Sequence, residues 1–354
     1  MKIINRYINY TILTSMMVVL FVLLSLFTFF SFLEQLEEIG QGNYGVVSAL
    51  YFVLLSMPTM INQLFPITAL LGVTIGLGLL SSNSELIAIR SAGVSMRQIV
   101  NSVLKVGTLL MIVSFIIGEW VSPRTEQHAQ MIKSVAKSEQ LSLEGDQGLW
   151  ARDGKSIINV RKILPGGQLG EIFIYTYGEN YSIREIQYAE SAIYIEDHWK
   201  LKNLSTTMLW EDKTTKKFDA ESSWETKISP DLLSVVTVKS STQSTYDLYK
   251  YIAYLENNGV SAEGYKQSFW SKVSIPLVTG VMVLLAIPFV FGSLRSVGIS
   301  QRILVGVLLG IGFHLVNQTF SYLGLVFKLD PAFSALFPTA VAFLLAVYLL
   351  RRVY

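Results

Sequence analysis

Several stretches of this chain stay apolar for about twenty residues or more, the length that crosses the hydrocarbon core of a bilayer. They run roughly over 11–33, 50–80, 99–121, 270–291, 303–327 and 334–350. Hydrocarbon offers no water to a peptide group, so a spanning segment must satisfy its own hydrogen bonds, and unbroken runs of this length do so as helices. Composition agrees: 51% of residues are hydrophobic and only 15% are charged, against about 25% charged in soluble proteins. The run at 11–33 exceeds the apolar core of a secretory leader, and FLEQLEEIG rather than a small-residue cleavage site follows it, so it is expected to be a retained span.

Lysine and arginine in the short connections set the orientation. Lys2 and Arg6 precede the first span, Arg90 and Arg97 follow the second, Arg295 and Arg302 follow the fourth, and Arg351 and Arg352 follow the last. The first connection carries Glu34, Glu37 and Glu38 and no basic residue, and the last carries only Lys328. Both termini are therefore expected in the cytosol and the large insert, 122–267, outside. Three parts result: 1–121 with three spans, the insert, and 268–354 with three more.

The insert changes pattern. Its first part, 124–141, reads as a polar helix extending the third span. From Gly148 the runs GLWARD, SIINVRKI, GEIFIYTY, SIREIQYAESAIYIE, HWKLKNLSTTMLW and KKFDAESSWETKI read as strands separated by Gly, Pro and Asp turns. Many short strands at even spacing predict an antiparallel sandwich or β-jellyroll, over about 146–245. The segment 246–257 reads as an amphipathic helix stopped by Asn258-Gly259.

Catalytic chemistry is hard to find. The chain has no cysteine, its histidines (His128, His198 and His314) are scattered, and no metal site is expected. The net charge of +2 gives no reason to expect nucleic acid as a partner. Gly148-Leu-Trp-Ala-Arg-Asp-Gly154-Lys155-Ser156 imitates a phosphate-binding loop, but it has five residues between its glycines where the motif needs four. Asp153-Gly154 is read instead as a hairpin turn.

The polar island SNSELIAIRSAGVSMR, 82–97, stands between the second and third spans. Ser84 is placed to cap a short helix beginning at Glu85, an acid in its first turn suits the helix dipole, and Gly93 can end it. Such a segment either lies in the interface facing lipid or seats in a groove on a partner, with Leu86 and Ile89 filling the groove and Glu85 and Arg90 fixing register. Polar groups at depth should face helices or a cavity. Asn62, Gln63, His314, Asn317 and Gln318 are such groups. Phe65, Phe313, Asn317, Gln318, Phe320 and Tyr322 are the candidates for a lipid-holding wall. Arg124, Lys133 and Lys137 are the candidates for contact with phosphate, read as lying on or near one helix face; a solvated charged helix fits them equally.

Together, FLEQLEEIGQGNY, FPITALLGVTIGLGLLSSNSELIAIRSAGVS, GEWVSP, GLWARDG, FWSKVSIPL and FGSLRSV make the chain resemble the LptF/LptG family of lipopolysaccharide-export permeases, on its LptG side. The resemblance implies six spans with a periplasmic β-jellyroll, in the inner membrane of a Gram-negative bacterium. It implies a permease subunit of an ABC transporter rather than an enzyme. The implied partners are an LptF permease, an LptB ATPase dimer that binds ATP and Mg, LptC, and LptA reached through a bridge of jellyrolls. The implied cargo is lipopolysaccharide, and no cofactor is implied for this chain. The family's coupling pattern falls on Ser84, Glu85, Ala88, Arg90 and Gly93. Basic residues common after the family's first span are replaced here by Glu37 and Glu38, which shifts the phosphate role to Arg124, Lys133 and Lys137. The alternative is a membrane scaffold that recruits envelope partners through its outer domain without transport.

Overall fold

The computed structural model describes residues 2–137, 141–142, 149–153, 155–164, 168–178, 182–195, 198–210, 213–224, 226, 240, 243–291 and 298–353. Six of its helices are long and apolar enough to cross a membrane. They are α1 (Lys2–Leu36), α2 (Val46–Ser82), α4 (Met96–Ile116) with its continuation, and, after the insert, α7 (Glu263–Phe291), α8 (Ile299–Val326) and α9 (Pro331–Val353). Between α2 and α4 lies the short α3 (Glu85–Ser91). The spans expected from the sequence are all present, with ends extended by a few polar residues.

The bundle is organised around α2. It packs against α1, α7, α8 and the extension of α4, and most of its apolar stretch is buried. Glycine makes this possible. A Cβ on Gly72 would lie 2.5 Å from Met16 Cβ, and one on Gly76 would lie 2.9 Å from Ile12 Cα. The small-x-x-x-small face therefore brings the two backbones together. On the side of α8 the glycines are reversed: Gly306 faces Leu71 and Gly310 faces Ile67 of α2. At one end of this seam the almost fully buried Arg302 donates from Nη1 to the Gly78 carbonyl at 2.8 Å. Pro58 and Pro66 lie inside α2, which runs through both.

The third span does not stop at the membrane. α4 passes through a π turn (Ile117–Val121) into α5 (Ser122–Ala136). The stretch Met96–Ser134 is 39 residues, which as helix is roughly 58 Å, against about 30 Å of hydrocarbon. The helix ends at Ala136, short of the expected 141, because Leu141 is already in strand.

The inserted domain is antiparallel β, as the sequence predicts. Its strands are β1 (Leu141–Ser142), β2 (Leu149–Asp153), β3 (Ser156–Leu164), β4 (Gln168–Tyr177), β5 (Ile183–Ile195), β6 (His198–Leu209) and β7 (Thr214–Trp224). Among the described residues they form one sheet, sequential from β3 to β7, with β1 and β2 end to end on the free edge of β3. All six strand-like runs are strands. Asp153 pairs with Ser156, so the imitation phosphate loop is a hairpin and no helix follows it. Gly148, Gly154 and the turns at 165–167 and 196–197 lie outside the described residues.

A crease crosses the sheet. Buried residues fall three apart where strand alternation calls for two: Leu169 and Ile172, Ala189 and Ala192, Leu201 and Leu204. At that line Glu171 and Asn203 have φ of +51° and +53°, the left-handed region. One extra residue in each of these strands keeps the register between neighbours while bending all of them, so both halves bury the same apolar face. Glu171 pairs with Lys162, and Asn203 donates to Glu190 at 2.5 Å. The fully buried Trp199 sits inside, against Tyr194 and Trp224. Tyr254 from α6 (Thr245–Asn257) packs against the same core.

The glycine seam predicts that Gly72→Ala destabilises the chain by about 1–3 kcal/mol, because the neighbouring atoms are backbone and cannot move aside. Gly312→Ala, with nothing within 4 Å of the added methyl, serves as the control and should be neutral or stabilising. Unfolding in mixed detergent measures both.

Candidate functional site

The polar island folds as a short helix fixed at both ends. α3 begins at Glu85, as expected, but Ser84 does not cap it through its side chain. Ser84 sits at φ +61°, and its carbonyl accepts from the N–H groups of Ile87 and Ala88. The start is held instead by Glu85, whose carboxylate accepts from Tyr7 Oη of α1 at 2.7 Å and from Asn83 Nδ2 at 3.2 Å. Gly93, at φ +85°, ends the helix. Its N–H reaches the Arg90 carbonyl and that of Val94 reaches Ile89, so two of the last carbonyls are satisfied by a left-handed stop. Leu86, only 4% exposed, and the half-buried Ile89 point into the helical core. Leu86 is thus an anchor and not the groove-filling group expected of it. The outward stripe is Ser84, Ile87, Ala88 and Ser91, with Arg90 beside it, all exposed.

A second feature is a bare face. α1 and α8 lie on α2 yet are each only 11% buried over their most apolar windows. Polar side chains sit on that surface at depth. The seam pairs Leu71 with Gly306 and Ile67 with Gly310; one more turn on each helix brings Gln63 level with His314. Gln63, His314 and Gln318 are exposed, and Asn317 has a buried Oδ1 without a hydrogen bond. Of the other wall candidates, Tyr322 is exposed, Phe313 packs on the core and Phe320 packs on Phe337 of α9. Phe65 is buried in the core and lines no open surface. Asn62 ties helices together: it accepts from Ser114 Oγ at 3.2 Å, beside Gly118.

The three basic candidates separate. Nine residues are about two and a half turns, so Arg124 lies on the opposite face of α5 from Lys133. Arg124 is exposed. Lys133 and Lys137 both bind Glu38 Oε2, at 2.6 and 3.2 Å, and Lys133 also sits 4.9 Å over the Phe52 ring. The expected common face of all three does not exist, and two of its members share one carboxylate.

Compared with known proteins, the sequence matches the model of the lipopolysaccharide export system permease LptF/LptG over residues 6–352. The chain belongs to the LptF/LptG family. It is 36% identical over 353 residues to the lipopolysaccharide export system permease protein LptG of Escherichia coli strain K12, covering 99% of this chain and 98% of that one. It is 34% identical over 351 residues to LptG of Haemophilus influenzae strain KW20, with the same coverage. The LptF/LptG fold of six spans and an inserted β domain is the one described above.

Three of the motifs that carry the resemblance have physical roles that the sequence left unassigned. FLEQLEEIGQGNY is a clamp: Glu38 holds Lys133 of α5 and Lys137 just beyond it, Asn43 N–H donates to the Ala136 carbonyl at 2.7 Å, and buried Tyr44 donates to Gln35. GEWVSP carries the π turn. Its Glu119 accepts from the N–H groups of Thr245 and Tyr246, at 2.9 and 3.1 Å, and so caps α6, which Ser244 also caps. In FWSKVSIPL, Lys272 donates to the Gln243 carbonyl beside that cap. The pairings of Tyr7, Glu38 and Glu119 were missed because their partners lie far along the chain. Lys105, a lone cation in the third apolar run, was visible as such and passed over.

Burial works against the charge on Glu38, but Lys133 and Lys137 outweigh it and hold its carboxyl below the usual 4.5. A depressed carboxylate contributes stability above its unfolded value, and that contribution is lost as pH falls through the folded one. Glu38→Gln should therefore be less stable than the parent at neutral pH, by up to about 1 kcal/mol for a partly exposed pair. The difference should close as pH drops below the ordinary carboxylate range. Thermal unfolding of both proteins across that range tests the clamp.

Proposed function

We propose that this chain is one permease of an ABC-type exporter that draws lipopolysaccharide out of the inner membrane and passes it to a periplasmic bridge. Membership of the export permease family over nearly the whole chain supports the cargo. The basic connections support an orientation with both termini cytosolic and the β domain in the periplasm. In this reading the power comes from an LptB-type ATPase dimer that binds ATP and Mg. An LptF-type permease covers the bare α1 and α8 faces, and LptC and LptA continue the route beyond the β domain.

Energetics favour this division of labour. Transfer of an acyl chain costs about 0.8 kcal/mol per methylene, so baring one chain of about fourteen carbons costs on the order of 10 kcal/mol. A lipid with several chains needs a continuous apolar route and an external source of work. The creased sheet offers an apolar inner face, and the polar patch at Gln63, His314 and Gln318 suits a cavity wall shared with a second permease.

The observation that carries the coupling role is α3. Its start is tied to α1 by Tyr7, its interior side is anchored by Leu86, and its stop at Gly93 passes straight into α4 through the capping box of Ser95 and Gln98. A push on its outward stripe has no slack to absorb it. Ser84, Glu85, Leu86, Ile89, Arg90 and Gly93 thus serve in two ways: Ser84 and Arg90 face the motor together with Ile87, and the others hold the helix rigid. α4, the π turn and α5 carry the displacement outward, and Glu119 hands it to α6 and the β domain.

Two variants separate docking from anchoring in the reconstituted complex. Ile87→Asp changes only the outward stripe and should weaken assembly with the ATPase. Glu85→Lys removes the carboxylate that accepts from Tyr7 and Asn83. It should leave the ATPase bound while lowering lipid released per ATP about tenfold or more. Unaltered export by Glu85→Lys would sink the coupling role, and export by the chain with no ATPase present would sink the whole reading.

A further inference from the structure

A groove of about 460 Å3 opens between α1 and α4, lined by Asn5, Arg6, Asn9, Tyr10, Leu13 and Lys105. It lies at the end of the bundle where α3 sits, since Arg6 precedes the Tyr7 that binds Glu85. Two of its residues are cations from different helices. Both are exposed, and among the described residues neither forms an ion pair.

Lys105 is the unusual one. It lies nine residues into α4, roughly 13 Å along the axis. An ammonium at that depth is costly and reaches back along its stem to the headgroup level. That movement carries it toward Arg6. The amides of Asn5 and Asn9, one turn apart on either side of Arg6, supply further hydrogen-bonding groups. With its nitrogen turned inward, Asn9 donates to the Ser102 carbonyl at 3.1 Å and so fixes the floor between the helices. Tyr10, about one turn beyond Arg6, and Leu13, about two turns beyond it, continue the lining toward the middle of the span. The groove is cationic and amide-rich at the headgroup level and apolar above it.

We propose that this groove binds one anionic phospholipid from the leaflet on the α3 side, its phosphate between Arg6 and Lys105 and an acyl chain along Tyr10 and Leu13. Basic pockets between membrane helices suit such headgroups. The bound lipid bridges α1 and α4, the two helices to which α3 is tied, and so stiffens the mount of that helix. The site is separate from the bare face and does not depend on the export reading.

The test uses the full chain in nanodiscs of phosphatidylcholine with a minor fraction of phosphatidylglycerol, with retained lipid counted by native mass spectrometry. Preferential retention of phosphatidylglycerol is expected. The Arg6→Gln/Lys105→Gln pair should lower that preference about tenfold to thirtyfold, near the effect of two basic residues at a membrane surface. The Arg6→Lys/Lys105→Arg pair should keep it. Equal retention of the two lipids by the parent, or unchanged preference in the glutamine pair, overturns the proposal. Loss in the charge-conserving pair as well assigns the effect to folding and overturns it too. Inorganic phosphate added as competitor should leave the lipid bound; displacement by it would assign a free-phosphate site instead. A preference seen for the chain alone but abolished by its partner subunits would assign the cations to a partner helix.

Discussion

In hydrocarbon, apolar side chains gain nothing by leaving lipid for one another, so helices hold together by close contact and hydrogen bonds. That constraint falls on α2. Gly72 and Gly76 let α1 approach to backbone distance, Gly306 and Gly310 accept the side chains of α2 into α8, and Arg302 locks the end of that seam. The short helix, the clamp and the bare surfaces are mounted on this helix. α3 leaves its C-terminus, the clamp segment leads into its N-terminus, and the bare surfaces are the outer sides of the two helices laid on it. A larger residue at Gly72 would therefore disturb the mount of α3 as well as a single helix pair.

Carboxylates provide the joints between the membrane part and the rest. Glu85 joins α1 to α3, Glu38 joins the α1–α2 connection to α5, and Glu119 joins the third span to α6. Each sits outside the hydrocarbon or at its edge, where a charge can be kept at moderate cost and a hydrogen bond to it is strong. The π turn at Glu119 is what aims one of these groups away from the helix axis, since a turn with one extra residue rotates the face of everything after it. The helix from Met96 to Ala136 thereby serves as a continuous strut with a cap for the β domain's return helix part-way along it.

The spans and strands were legible because their signals are local: apolar length for the helices, alternation and turn residues for the strands. The crease was not, although its mark is present in Leu169 and Ile172 or Leu201 and Leu204, spaced three apart within otherwise alternating runs. Such a step reads as noise in one strand and as a bend only when neighbouring strands share it. The candidate site was legible in position and not in direction. Helical spacing placed Leu86 and Ile89 together but could not say whether their side faced the bundle or a partner. The same arithmetic, carried through, puts Arg124 half a turn from Lys133. The partners of Lys133 and Lys137 lie about a hundred residues back along the chain, beyond any local pattern.

The uneven burial of the bundle bears on what kind of object this chain is. α2 and α7 are mostly enclosed, whereas α1 and α8 are open, and α8 with the adjoining turn of α2 exposes amides and a histidine that lipid cannot satisfy. Exposed apolar groups on a span need no partner, because lipid is partner enough. Gln63, His314 and Gln318 do need one, and so does the buried Asn317 oxygen. The polar groups therefore distinguish the surface that awaits protein or cargo from the surface that merely meets the bilayer. They fall on α8 and the adjoining turn of α2, along one of the glycine seams, so a contact that holds the bundle together also sets the position of its open side.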